Sequence, residues 1–104
     1  MKAQAENKKT YAAKRMACLK ALADVNRLAI ISLLGKGEMC VCHIWSALAL
    51  PQNLVSHHLR VLKQAGLVTS RKDGLKVHYS IDRTCMKKLQ TLLSPIFRTY
   101  ADNS

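Results

Sequence analysis

The feature that most constrains this chain is the break at Leu50-Pro51, set between two short amphipathic stretches. Pro51 holds Leu50 extended and so ends any helix before it. It also suits the first turn of a new helix, because its missing N–H would have had no partner there. The stretch from Gln52 to Ala65 places Leu54, Val55, His58, Leu59 and Leu62 on or near one face, and Gly66 closes it. Before the break, Met39 to Leu50 reads as an extended entry followed by a short helix through Ile44, Trp45, Ala47 and Leu48. Two helices joined by a tight break form a helix-turn-helix. A hairpin comes next: Leu67 to Arg71, an Asp73-Gly74 turn signal after Lys72, and a return strand from Lys76 to Ile81 with Val77, Tyr79 and Ile81 alternating.

The flanks are helical. Thr10 to Leu22 favours helix, with Tyr11, Cys18 and Leu22 on one face. Asp24 fits an N-cap for Val25 to Leu34, which Gly35 and Gly37 end. The last helix spans about Thr84 to Tyr100, residues 84–100 serving as a dimerisation helix. Met86, Leu89, Leu92, Leu93, Ile96, Phe97 and Tyr100 form a long apolar stripe. That stripe has two readings, its own core or a dimer interface with Tyr11 of the first helix. The expected fold is mainly α with a small β-hairpin wing, in the order α-α-α-α-β-β-α. All 104 residues make one domain, with residues 1–9 flexible.

Charge narrows the partner. Lys and Arg number 17 against 6 Asp and Glu, a formal net charge of +11. Such an excess suits a polyanion. Between Glu38 and Asp73 there is no acidic residue, while Arg60, Lys63, Arg71 and Lys72 fall there. A segment that approaches phosphates gains by excluding carboxylates. Gln52, Asn53, Ser56 and His57 occupy the exposed first turns of the second helix and offer donors and acceptors to base edges. Arg60 and Lys63 are placed for phosphates, and Arg71, Lys72 and Lys76 put a basic wing beside them. Operator-type double-stranded DNA is the expected partner.

No apolar run approaches the roughly 18 residues that would span a bilayer. The stretch from Met1 to Lys9 lacks the apolar core of a secretory signal. The expectation is a cytoplasmic chain with no membrane partner, its thiols kept reduced. An enzyme is not expected: no nucleophile triad, phosphate loop or paired catalytic carboxylate motif is visible.

The remaining chemistry lies in the cysteines. Cys40 and Cys42 stand one residue apart just ahead of the first helix of the pair. Thiolates are the natural ligands of soft ions. In a regular helix, side chains two apart point about 200° from each other, so one ion reaches both thiols only if the helix start is unwound. Cys18, Cys85 and His43 are candidate further ligands. Cys85 opens the last helix, where the helix dipole, Arg83 and Lys87 would lower a thiol pKa.

Several stretches resemble a known family. They are Leu19-Lys20-Ala21-Leu22-Ala23-Asp24-Val25-Asn26-Arg27-Leu28, Glu38-Met39-Cys40-Val41-Cys42, Ser56-His57-His58-Leu59-Arg60-Val61-Leu62, and Gly66-Leu67-Val68 with the wing. Their order and spacing are similar to the ArsR/SmtB family of winged-helix metalloregulatory repressors, in its Cys-Val-Cys branch. The resemblance implies a homodimer that represses a resistance operon and leaves its operator when an ion binds. Arsenite or antimonite at Cys40 and Cys42 is the implied inducer, with cadmium or lead as the alternative and no permanent cofactor. The family motif often continues Asp-Leu-Cys, whereas this chain has His43-Ile44-Trp45, so the third thiol is replaced by tryptophan. Zinc sensors of the family use a carboxylate and histidines on the last helices. Here Arg83 and Cys85 fall near the first such positions, and no zinc site is expected there. A redox or persulfide switch through Cys85 and another thiol is the rival reading, and a DNA-architectural protein without inducer is a further one.

Overall fold

The computed structural model describes Lys8–Asp102, and side chains within that span except residues 8–10, 14 and 100–102. The expectations for residues 1–7 and for the Tyr100 side chain lie outside the described residues. The order is α1 (Lys8–Leu22), α2 (Val25–Leu34), β1 (Met39–Cys40), α3 (Val41–Leu48), α4 (Gln52–Gln64), β2 (Val68–Asp73), β3 (Lys76–Ile81) and α5 (Arg83–Asp102). This is a winged helix-turn-helix, as the sequence implies. The order differs by one element, because the extended entry before α3 is a strand.

β1 joins the wing to make a three-stranded antiparallel sheet in the order β1-β3-β2, with Met39 opposite Tyr79 and Cys40 opposite His78. A hairpin alone leaves one edge of β3 with unpaired backbone groups, and β1 satisfies part of that edge. β3 is therefore central, and Val77 to Ile81 are all half-buried instead of alternating. The hairpin also runs further than its sequence signal. Asp73 pairs with Lys76, so Gly74 and Leu75 form the loop. Gly74 takes φ +65°, which a glycine adopts at little cost.

Asp24 caps α2 as expected. Its carboxylate accepts from the backbone N–H of Asn26 at 2.9 Å and of Arg27 at 3.1 Å. Those two bonds hold the Asp24 carboxyl below its ordinary range, the Arg27 N–H contributing most. Ala49 ends α3 in the left-handed region at φ 54°, an uncommon conformation for a residue with a Cβ. Its N–H and that of Leu50 close the turn on Ser46 and Trp45. The Pro51 carbonyl then accepts the first backbone bonds of α4, from Leu54 and Val55.

One core ties these elements together. Ile30 and Leu34 of α2, Ile44 of α3, Val55, Leu59 and Leu62 of α4, Leu67, Val68, and Cys85 and Leu89 of α5 are buried in it. Burial of such side chains contributes about 1.5–3 kcal/mol each before the cost of ordering. α5 also contains Pro95, which the periodicity gave no reason to mark. Proline has no N–H, so the Thr91 carbonyl loses its helical donor.

Candidate functional site

Cys40 and Cys42 are brought together by the junction of β1 and α3. Cys40 is the α3 N-cap, with φ −77° and ψ 155°, and belongs to the strand, not the helix. Cys42 lies just inside the first turn. The expected need to unwind the helix is therefore already met, because one of the two residues is extended. The Cα atoms lie 5.4 Å apart, and the sulfurs are joined as a disulfide. That separation falls within the span a disulfide bridges. Residues placed close enough to share a bond are placed to share one ion once reduced. The Cys40 sulfur also accepts the His43 N–H at 3.3 Å, taking the part of an N-cap side chain.

Further ligands are not assembled there. Among the described residues, no group of three or more His, Cys, Asp or Glu is placed to hold a metal ion. The His43 side chain is exposed. Cys18 and Cys85 are buried in the core between α1 and α5, with their sulfurs 3.6 Å apart, and Cys18 donates to the Ala65 carbonyl. They serve each other and not the Cys40–Cys42 pair. The expected lowering of the Cys85 pKa is also reversed. Burial, then the hydrogen bond with Cys18, raise it to about 11. The Asp82 carboxylate, which accepts the Cys85 N–H at 2.9 Å, adds to the rise.

A groove of about 300 Å³ opens beside the paired cysteines. Trp45 and the wing residues Leu75 and Val77 supply its apolar walls, and Gln52 and Ser56 of α4 border it. Trp45 stands one helical turn beyond Cys42, so the two share a face of α3. The pattern of residues gave no sign of this groove, because Leu75 and Val77 reach it only through the hairpin.

The face expected to meet DNA lies immediately next to it. Gln52, Asn53, His57, Arg60 and Lys63 are exposed along α4, with Ser56 half-exposed. Gln52, Asn53, Ser56 and Arg60 line one shallow concavity. Lys63 is steered by donating to Ser70 on β2 at 2.7 Å. On the wing, Lys72 and Lys76 are exposed. Arg71 has a partner that the sequence did not suggest: its guanidinium grips Glu38 through two bonds of 2.8 Å. That fork holds the Glu38 carboxyl below its ordinary range.

The opposite face of α4 is held by a polar tie. His58 is 5% exposed and faces the core. Its partner is a side chain. Arg27 donates to His58 Nδ1 at 3.1 Å, and the same guanidinium donates through Nε to the Ala21 carbonyl at 2.6 Å. Burial pushes the His58 pKa below 6.5. The nearby Asp24 carboxylate opposes that shift and Arg27 adds to it. Because a guanidinium only donates, Nδ1 is the acceptor in this contact.

The apolar stripe of α5 divides. Leu89 is buried in the protomer's own core, and Leu92 and Leu93 pack partly against it. Leu89 is therefore not available to a partner. Ile96 and Phe97 are 63% and 66% exposed. Tyr11 donates to the Lys88 carbonyl at 3.1 Å, fastening α1 to α5 within the protomer. No described helix is long and apolar enough to cross a membrane.

Comparison with known proteins agrees with this geometry. Residues 24–70 match the family described as "Bacterial regulatory protein, arsR family". An uncharacterized HTH-type transcriptional regulator of Methanocaldococcus jannaschii, MJ1325, is 42% identical over 78 residues, covering 74% of this chain and 88% of the relative. The arsenical resistance operon repressor of Escherichia coli is 46% identical over 63 residues, 60% of this chain and 54% of the relative. A cadmium resistance regulatory protein CadC homolog of Staphylococcus aureus is 41% identical over 71 residues, 67% and 59%. A solved homodimeric winged helix-turn-helix domain from Mycobacterium bovis superposes with a TM-score of 0.73 at 29% identity, covering 100% of this chain and 96% of its own. With its helix-turn-helix, its wing and these relatives, the chain belongs to the ArsR family of bacterial regulatory proteins, DNA-binding transcriptional regulators and not enzymes.

Proposed function

We propose that this regulator is the repressor of a metalloid-resistance operon, released from its operator when arsenite or antimonite binds the reduced Cys40–Cys42 pair. The observation that carries the proposal is the seating of both cysteines at the β1–α3 junction, 5.4 Å apart at Cα and beside the reading helix. Trivalent arsenic makes three bonds in a pyramid. Two thiols and one hydroxide satisfy it. A divalent soft metal such as cadmium seeks about four ligands, as tetrahedral zinc does. The described residues offer no such set. The exposed Ile96 and Phe97 on α5 suit the homodimer that pairs two reading helices on a two-fold operator.

Coupling is short-range. Cys40 belongs at once to the wing sheet and, as N-cap, to α3. An ion drawing on its sulfur takes away the acceptor of the His43 N–H and shifts the joint that sets wing against helix pair. Replacing Cys40 or Cys42 with Ser tests the reading. Serine caps a helix well, so fold and operator affinity should stay within about twofold, given the few tenths of a kcal/mol separating good caps. Loss of the chelate should raise the arsenite needed for release by about 10²–10⁴-fold, the usual range for bivalent engagement. A single mutant that responds like the parent would remove the pair from the sensor.

A further inference from the structure

We infer that the ion pair of Glu38 with Arg71 is the tie by which the segment carrying Cys40 holds the wing in its DNA-binding position, so that Glu38 is a positioning residue for DNA contact. That hold stands on the geometry of the sheet. Its extension to an inducer rests on the proposed role of Cys40 and Cys42.

The sheet sets the two residues on either side of its middle strand. Arg71 on β2 lies opposite His78 on β3, and His78 lies opposite Cys40 on β1. Residues paired in this way point to the same face, as do residues two apart along a strand. Glu38 stands two residues before Cys40, at the entry to β1, and the Arg71 guanidinium reaches it over β3 with two bonds of 2.8 Å. Arg71 has an acid closer in sequence, Asp73, two residues along its own strand, yet both bonds go to Glu38. The pair therefore spans the two outer strands of the sheet.

A guanidinium that grips a carboxylate through two parallel bonds fixes orientation as well as distance. β1 is short, with two residues and two pairings, and the fork adds a side-chain tie to them. β2 is fastened from its other face as well, because Lys63 of α4 donates to Ser70, next to Arg71, at 2.7 Å. The wing strand is thus held on one face by the segment carrying Cys40 and on the other by the helix expected to read DNA. Glu38 and Arg71 are both exposed, so the pair adds little to folding, and its contribution lies in where it sets the wing. An ion on Cys40 that shifts the entry to β1 moves Glu38 with it, and the fork passes that shift to β2.

The test uses the reduced full chain on labelled DNA from upstream of its gene. Glu38→Gln, Arg71→Gln and the double variant are each titrated at several salt concentrations. Glutamine keeps the shape of glutamate and removes its charge. Taking a carboxylate away from a DNA-facing region would by charge alone tighten binding, so the sign of the effect decides. The expected result for Glu38→Gln is binding weaker by about 2- to 30-fold, the span of coupling effects for residues linking two sites. The slope of log affinity against log salt should not change. In the Arg71→Gln background the same substitution should have no further effect, because the two residues act as a unit. Melting temperature should fall by no more than about 4–8 °C, as suits an exposed pair. Arsenite should still change the Trp45 fluorescence of Glu38→Gln, while its effect on DNA affinity shrinks. Tighter binding by Glu38→Gln, with a slope steeper by about 0.9 per protomer, would overturn the inference and make Arg71 a phosphate ligand that Glu38 withholds. Unchanged binding, or an equal loss in both backgrounds, would overturn it too. An arsenite response in Glu38→Gln equal to the parent's would overturn the extension to the inducer. Arsenite that neither binds nor releases the parent would remove the arsenite reading, and the DNA titrations would still decide the tie.

Discussion

Replacing Arg27 with Met should loosen the reading helix from the body of the protein. One guanidinium joins three elements: it lies on α2, donates to the Ala21 carbonyl at the end of α1 at 2.6 Å, and donates to His58 Nδ1 on α4 at 3.1 Å. Methionine keeps the length of the stem and removes both donors. Hydrogen bonds from a charged donor contribute about 1.5–3 kcal/mol each, and the buried His58 acceptor would be left without a partner, so the total cost should be about 3 kcal/mol. For a chain of this size that corresponds to a fall in melting temperature of roughly 12–24 °C. A second signature comes from pH. His58 is held below 6.5 in the folded protein, first by burial. The unfolded chain therefore binds the extra proton at a higher pH than the folded one. Stability is full above about pH 6.5 and is lost as pH falls below it. Removing Arg27 takes away one cause of the lowering, so the slope of melting temperature between pH 5 and 7 should shrink. Thermal melts by circular dichroism across that range read both effects. A fall of less than about 4 °C together with an unchanged slope would refute the claim that Arg27 holds His58 and α4 in place.

The other predictions concern the thiols and the DNA face. In the folded, reduced protein at pH 8, a thiol reagent should modify Cys40 and Cys42 quickly and Cys18 and Cys85 only on unfolding, because the latter pair is buried and Cys85 titrates at about 11; peptide mapping showing rapid labelling of Cys85 would contradict its burial. Arg60→Ala should weaken binding to every DNA sequence and lower the slope of log affinity against log salt by about 0.9 per protomer. A loss confined to one base position would instead make Arg60 a reader of bases.

Much of this arrangement was legible because local signals and tertiary needs agreed. Asp24 ahead of Val25, the Leu50-Pro51 break and the apolar face of α4 each fix an element by local chemistry, and the structure has them there. What escaped was made by contacts distant in sequence. β1 exists because Met39 and Cys40 find the free edge of β3 at Tyr79 and His78. That pairing keeps Cys40 out of the helix and so dissolves the angular objection to a two-cysteine site. Arg71 looked free for DNA because Glu38, its partner, sits at the far end of the acid-free stretch. Cys85 looked activated because its helix terminus was visible in the sequence, whereas its burial against Cys18 was not. Leu89 shared a stripe with Ile96 and Phe97, yet the core claims the first and leaves the other two exposed.

The central claim is that a metalloid held by Cys40 and Cys42 releases this regulator from DNA. The most direct measurement is anisotropy of labelled upstream DNA bound to the reduced protein, titrated in parallel with arsenite and with cadmium. Release by arsenite and little response to cadmium are expected, with Trp45 fluorescence changing over the same arsenite range. Release by cadmium alone, or by neither ion, would contradict the claim.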